Sequence, residues 1–481
     1  MYRIRSVLQL SSDKELFKME SRNSCEENEV LDFDISNWPS PKEKKTFTLK
    51  LESMINGSME EKSRSRRRNM IRLEKAQGRQ DIVNLSIHFS CCKDILQLEG
   101  ITSLINNGNR KWNSFSMTGI NEVGNMYSSK EFPEEIKLLF EALKHVKALK
   151  LRSCNLNIGY GLELILEKIQ LFTCLEELRL EGWQIDRISA TTLIDCLKCH
   201  ADKSIHLLSM RSCRFLGENS FDIFCRGLKY VERLNTLDMS NCNLDDNDVI
   251  PLISSITRHP RIECVDLEKN CCQTQSSLDT IASWIKDDNC KLRVLNVRGL
   301  WTGFSEEGLF QRFVDTTPLF LALSHNTSLY DLNLSENCLE NEEVKRFTSL
   351  LRNSSTKLCY IDVGMNPFNE NGAKSLLQLV CDLKTIQHVK FENSFMEYEC
   401  ARLIEIQAEI NYLDAFIGKS LDIPLSLWPH IFARIQCGTR TGKFNRLSKL
   451  SSDHIYRLLR AGTGAYGKQL SLRIATHNTK V

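Results

Sequence analysis

Leu234-Asn-Thr-Leu-Asp-Met-Ser-Asn-Cys-Asn-Leu244 is the stretch whose reading decides the fold. Its apolar residues fall at Leu234, Leu237, Met239 and Leu244, with Cys242 two places before the last. Leu237 and Met239 alternate with polar residues and so share one face of a strand, while Cys242 and Leu244 return to the same core after a turn. Thr236, Asp238 and Ser240 point the other way.

The pattern recurs on both sides of this stretch. Copies begin at Val146, Leu175, Ile205, Leu234, Ile262, Leu292, Leu329, Leu358 and Ile386, at successive steps of 29, 30, 29, 28, 30, 37, 29 and 28 residues. Apolar residues return at offsets 3 and 5, and usually 10, within each copy. Two imperfect copies precede them, Ile82, Leu85 and Ile87 with Cys92, then Trp112, Phe115 and Met117 with Ile120. Between strands the period changes. From Asp245 to His259, Val249, Leu252, Ile253 and Ile256 recur at three- and four-residue steps, and Asn369 to Leu383 behaves likewise. Asp or Asn at the start of each run suits a helix N-cap. One strand plus one helix cannot bury its apolar face alone, so neighbouring copies must stack.

These residues resemble the leucine-rich repeat, and the 28- to 30-residue period with long helices resembles its ribonuclease-inhibitor-like class, over about Ile82 to Met396. The resemblance implies an α/β leucine-rich-repeat solenoid of about eleven repeats, a horseshoe with parallel strands on its concave face and helices on its convex face. Residues 1–80 are expected to form an N-terminal flank, partly disordered or a degenerate cap. Residues 81–398 hold the repeats, and 399–481 a helical C-terminal cap and tail in which Ala401 to Phe416 reads as a helix. The 37-residue step contains Leu300-Trp-Thr-Gly-Phe304 and Pro318. Trp301 and Phe304 there either protrude as a binding element or plug an enlarged turn.

With 42% hydrophobic residues, 26% charged residues and a net charge of +2, the chain has no global bias toward nucleic acid or membrane surfaces. The start lacks a leader-like apolar core, and no run of about 18 apolar residues follows, so a cytoplasmic or nuclear protein is expected. The basic run containing Arg64, Arg66, Arg67 and Arg68 resembles a nuclear-import or phosphate-binding segment, with a solvated flank as the alternative. Nineteen cysteines, an odd number, are expected to be reduced thiols, with Cys154, Cys213, Cys242 and Cys272 filling turns between repeats. Cys196-Leu-Lys-Cys199-His200 matches a haem-attachment spacing but lies in an expected helix. No phosphate-binding loop, serine-nucleophile elbow or zinc motif occurs, so no enzyme, metal or cofactor is expected.

Candidate binding residues are those pointing away from the core. At offset 4 they are Lys150, Arg179, Ser209, Asp238, Asp266, Asn296, Asn333, Asp362 and Lys390. Arg152 and Arg211 extend the basic start of this column, and Glu268 and Asp331 its acidic centre, while Glu177, Glu181 and Arg298 break the trend. Such a polarised face suits a protein partner of opposite pattern. The expected function is a non-enzymatic protein-interaction scaffold of unstated oligomeric state, with no specific nucleic acid or membrane partner. Two alternatives stand. The class resembles activators of the Ran GTPase, which implies a regulator of a small GTPase. Ile423-Pro-Leu-Ser-Leu-Trp-Pro-His-Ile-Phe432 loosely resembles the opening of an F-box, which implies a ubiquitin-ligase substrate receptor, although Pro429 interrupts its helix. Under the scaffold reading, changing Asp238, Asp266 and Asp362 to Lys is expected to weaken capture and leave thermal unfolding nearly unchanged.

Overall fold

Strands and helices alternate because the apolar period switches from two to about 3.6 within every repeat. The computed structural model describes residues 5–7, 18–20, 29–34, 82–88, 102, 111–118, 134–153, 162–199, 205–304, 310–392 and 398–418. The basic run at Arg64 to Arg68, Cys91, Cys92, Cys154, His200, the F-box-like segment and the rest of the tail lie outside the described residues. The chain divides into two compact units, Met1–Val265 and Asp266–Val481.

In the first unit β1 (Arg5–Val7) pairs antiparallel with β2 (Lys18–Glu20) and parallel with β3 (Glu29–Asp34). Parallel pairing then continues through β4 (Ile82–His88), β5 (Lys111–Thr118), β6 (Ala148–Arg152) and β7 (Glu177–Glu181). It goes on to β9 (Leu207–Ser209) and β11 (Thr236–Asp238), while β8 (Gln184–Ile185) and β10 (Arg214–Phe215) form a small parallel pair of their own. The crossovers include α1 (Glu134–Ala142), α2 (Leu162–Ile169), α3 (Arg187–Cys199), α4 (Ser220–Leu228) and α5 (Asp246–Ile256). Asp245 caps α5 as its sequence implies, accepting from the Asn247 and Asp248 N–H groups at 2.8 and 3.3 Å, and the Asp248 carboxylate accepts the Asp245 N–H in return.

The unit boundary falls within β12 (Cys264–Asp266). In the second unit β13 (Val294–Asn296) and then β16 (Asp331–Asn333), β17 (Tyr360–Asp362) and β18 (His388–Lys390) pair in parallel. β14 (Thr302–Phe304) and β15 (Phe310–Arg312) make an antiparallel hairpin that accounts for the 37-residue step. The helices are α6 (Gln275–Lys286), α7 (Thr317–His325), α8 (Asn341–Arg352), α9 (Glu370–Asp382) and α10 (Tyr398–Gly418). Trp301 plugs the turn. It is fully buried, and its indole N–H reaches Ser277 Oγ at 3.3 Å. Arg312 ties the hairpin to the following repeat, donating to the Val314 and Cys338 carbonyls and to Glu343 Oε1 at 2.8, 3.0 and 2.9 Å.

The polar interior is ordered by one recurring bond. The ninth residue of the repeat pattern donates to the carbonyl of the sixth residue one repeat earlier: Trp183 to Leu151, Cys213 to Leu180, Cys242 to Met210, Asn337 to Val297 and Asn366 to Leu334. Asn366 also accepts the N–H groups of Asn337 and Leu339, each at 3.0 Å. Burial pushes the Cys213 thiol up to about 12 and the Cys242 thiol higher still, so both stay protonated donors. The residue just before the donor is left-handed in every clear copy from Leu175 to Leu358, namely Gly182, Ser212, Asn241, Lys269, Gly299, Glu336 and Met365. That conformation turns the strand toward its helix while the N–H of the residue still bonds the next repeat, as from Lys269 to the Arg298 carbonyl at 2.8 Å.

With its strand apolar face buried and its helices alternating through the crossovers, the chain is a leucine-rich-repeat solenoid. Three outcomes follow. Asn366→Ala leaves several buried backbone groups without partners and lowers stability by about 3 kcal/mol in guanidinium denaturation. Lys269→Gly removes a Cβ from a left-handed residue at φ 55 and raises stability by about 1 kcal/mol in the same assay. The third concerns His259, whose Nε2 bonds the Val231 carbonyl at 3.0 Å while its Nδ1 accepts the Arg261 N–H at 3.3 Å, and whose pKa is lowered, chiefly by burial. A buried histidine held neutral contributes stability above its unfolded pKa of about 6.5, which is lost as pH falls through the folded value. The unfolding midpoint therefore drops as pH falls below about 6.5 in the native protein and drops less in His259→Gln.

Candidate partner-binding face

Outward residues of neighbouring strands stand in register, because β6, β7, β9 and β11 in the first unit, and β13, β16, β17 and β18 in the second, each pair with the next without a shift. Lys150 is opposite Arg179, Arg179 opposite Ser209, and Ser209 opposite Asp238. In the second unit the row runs Asn296, Asn333, Asp362, Lys390. These side chains are partly or well exposed apart from Ser209, which is buried.

The two charge patterns are internally compensated. Lys150 Nζ lies 2.8 Å from Glu181 Oε2, Arg152 Nε 3.6 Å from Glu181 Oε1, and Arg179 Nη2 2.9 Å from Glu177 Oε2. Burial by itself would raise the Glu181 pKa. The Lys150 hydrogen bond and the fields of Lys150, Arg152 and Arg211 outweigh it and hold the carboxyl below its ordinary value. In the second unit Arg298 sits between carboxylates, 3.5 Å from Glu268 Oε1 and hydrogen-bonded to Glu336. The residues that break the sequence trend are thus the counter-ions of those that make it.

The acidic and amide column does a second job. Oδ1 of Asp238, Asp266, Asn296, Asn333 and Asp362 each accepts the backbone N–H two residues on, from Ser240, Glu268, Arg298, Ser335 and Gly364, at 2.9 to 3.1 Å. Asp238 Oδ2 also receives Ser209 Oγ at 2.7 Å. Where the column is Lys150 or Arg179, which cannot accept, the strands are five residues long; beyond them they are three. The expectation that Asp-to-Lys changes leave unfolding unchanged is therefore corrected, since lysine cannot hold these turns.

Asp331 differs from the rest of the column set. Burial raises its pKa, with Lys390 opposing and Asp362 adding, and among the described residues no hydrogen bond or ion pair reaches its carboxylate. Across β17 and β18 it shares a row with Tyr360 and His388. Ring centroids lie 6.0 Å apart for Tyr360 and His388, and 5.7 Å apart for His388 and Tyr412 of α10. Strand alternation turns Tyr360 and His388 outward, in a column flanking that of Asp362 and Lys390, and Tyr412 belongs to no repeat. Among the described residues there is no group of side chains set to hold a metal ion and no helix long and apolar enough to cross a membrane.

No protein-family model matches the chain. It is 27% identical over 282 residues to NACHT, LRR and PYD domains-containing protein 14 of Homo sapiens, covering 52% of this chain and 25% of that protein. It is 31% identical over 120 residues to FERM domain-containing protein C of Dictyostelium discoideum, covering 24% of this chain and 7% of that protein. The chain thus spans a quarter or less of the length of these relatives. Among solved structures, an internalin from Listeria monocytogenes aligns with 65% of this chain and 74% of its own at 13% identity and a TM-score of 0.32.

Two substitutions separate charge from turn support. Asp238→Asn keeps Oδ1 and leaves the denaturation midpoint nearly unchanged, whereas Asp238→Lys strands the Ser240 N–H and costs about 1–2 kcal/mol. Glu181→Gln flattens the acid limb of stability. A carboxyl with a depressed folded pKa contributes stability above its unfolded value, about 4.3, which is lost as pH falls through the folded one, so the native protein weakens below about pH 4.3 more than the variant does.

Proposed function

We propose that this chain is a non-enzymatic protein-interaction scaffold of the ribonuclease-inhibitor-like class, and that its partner docks on the outward face of the strands. The observation that carries this reading is the register of the outward rows. They present aligned, partly exposed charged and amide side chains, including Lys150, Arg179 and Asp238 in one unit and Asn333, Asp362 and Lys390 in the other. A rigid ladder fixes their spacing, so a partner meets a preorganised array and little ordering entropy is lost on binding. Arg152 and Arg211 are exposed cations near the first row, and they set orientation and encounter rate. The long-helix repeats and their period of 28 to 30 residues support the class, and 81–398 is the segment assigned to binding.

Proximity labelling tests this with the full chain, its Arg152→Glu/Arg211→Glu variant, its Asp266→Asn/Asp362→Asn variant and a control changed only on the helices, Arg226→Glu/Lys345→Glu. Enrichment of a shared partner set is expected to fall about tenfold in at least one face variant, equivalent to about 1.4 kcal/mol, and to persist in the control. Loss confined to the helix control would overturn the assignment to the strand face.

A further inference from the structure

The end of the second unit's strand face combines three features found together nowhere else among the described residues. Tyr360, His388 and Tyr412 form a fan of rings tilted by 43° and 45° to one another. A cation already uses this surface: Lys390 Nζ lies 5.5 Å from the Tyr360 ring centroid. Lys390 is itself accounted for, standing 4.0 Å from Asp362 Oδ2. What remains is Asp331, directly across the strand pairing from Tyr360, whose carboxylate meets no hydrogen-bond or ion-pair partner among the described residues.

We propose that this patch binds an arginine side chain of a peptide segment in the partner, the guanidinium stacking on the tilted rings and pairing with the Asp331 carboxylate. The inference rests on the scaffold reading above and names the chemistry of one part of that surface. Aromatic faces carry negative potential and attract cations, and a planar guanidinium can also lie flat against a ring. A carboxylate at the platform's edge offers two oxygens to the parallel N–H groups of the same guanidinium. A lysine ammonium satisfies the charge and neither the plane nor the fork, so the patch discriminates between the two cations. An acidic segment is disfavoured by Asp331 and Asp362 together. The half-buried setting of Asp331 strengthens the pairing, because a screened surface carboxylate gains far less from a single counter-charge.

Fluorescence anisotropy of the full chain with labelled peptides tests this. The probes are an alternating Arg–Gly peptide, its Lys–Gly counterpart and its Glu–Gly counterpart at moderate salt. The Arg–Gly peptide is expected to bind about fivefold more tightly than the Lys–Gly peptide, and the Glu–Gly peptide not at all. Asp331→Asn is expected to weaken Arg–Gly binding about fivefold and to erase the preference over Lys–Gly, and Tyr412→Leu to weaken it by a similar factor. Asp279→Asn, an exposed acid of α6 outside the strand face, is expected to change nothing. Circular dichroism melts of each variant separate lost binding from lost folding, and the near-isosteric Asp331→Asn remains decisive should Tyr412→Leu unfold. Equal affinity for the Arg and Lys peptides, or Arg–Gly binding undiminished in Asp331→Asn, overturns the proposal. Absence of binding by any peptide overturns it too, and leaves the scaffold reading standing if proximity labelling still responds to the other face changes.

Discussion

The structure depends on one donor per repeat reaching back to the carbonyl of the repeat before it. A parallel stack of short strands leaves buried carbonyls at each turn, and an unpaired buried carbonyl costs roughly as much as a lost hydrogen bond. Asn337 and Asn366 close this gap with amide groups, Cys213 and Cys242 with thiols, and Trp183 with an indole N–H. Chemically different side chains are interchangeable here because the position requires a donor, small or flat enough to lie inside the turn. Leu300 has no donor to give. At that repeat Asn270 supplies the Leu267 carbonyl from within its own turn, at 2.9 Å, and the chain departs into the β14–β15 hairpin.

The same turn couples stability to the outward face. Once the chain turns left-handed after the strand, the seventh-position N–H leaves the ladder and needs an acceptor, which the fifth-position Asp or Asn provides. The column most available to a partner is therefore also a column of turn supports. Its carboxylates can contribute their remaining oxygens to recognition, whereas replacement by a cation removes a support and a charge at once. Separating those two effects requires isosteric amides.

Legibility in the sequence follows the same division. The apolar skeleton, Leu234, Leu237, Met239 and Leu244, could be read directly because water exclusion acts on residue type and on period alone. Helix starts at Asp245 and Asn369 could be read for the same reason, since an N-cap is a local requirement. The left-handed residues could not be. Gly182 and Gly299 signal that conformation, but Lys269, Glu336 and Met365 occupy it under compulsion from the ladder. Nor could β3, where Glu29–Asp34 alternates too briefly to declare itself, and its partner strand begins only at Ile82. Of the candidate face, the columns were legible from alternation. The ion pairs that compensate them were not, because Glu181 and Glu177 become counter-ions only once the register is set.

The aromatic patch was the hardest part to see in advance, and its origin lies in how the second unit is closed. Among the described residues no strand follows β18 to satisfy its repeat. In place of one, Asn411 of α10, fully buried, donates to the carbonyls of Val380 and Ile386 at 2.8 Å each, and its own Oδ1 accepts from Gln407. One helix thus performs, with a single amide, a task like the one the ladder performs elsewhere. Consecutive helix residues point about 100° apart, so the amide buried at Asn411 turns Tyr412 out toward His388. The closure of the last repeat and the third ring of the patch are set by adjacent residues of one helical turn. A sequence change that loosens the closure therefore moves the ring as well, and stability at this end is bound to the chemistry of the face.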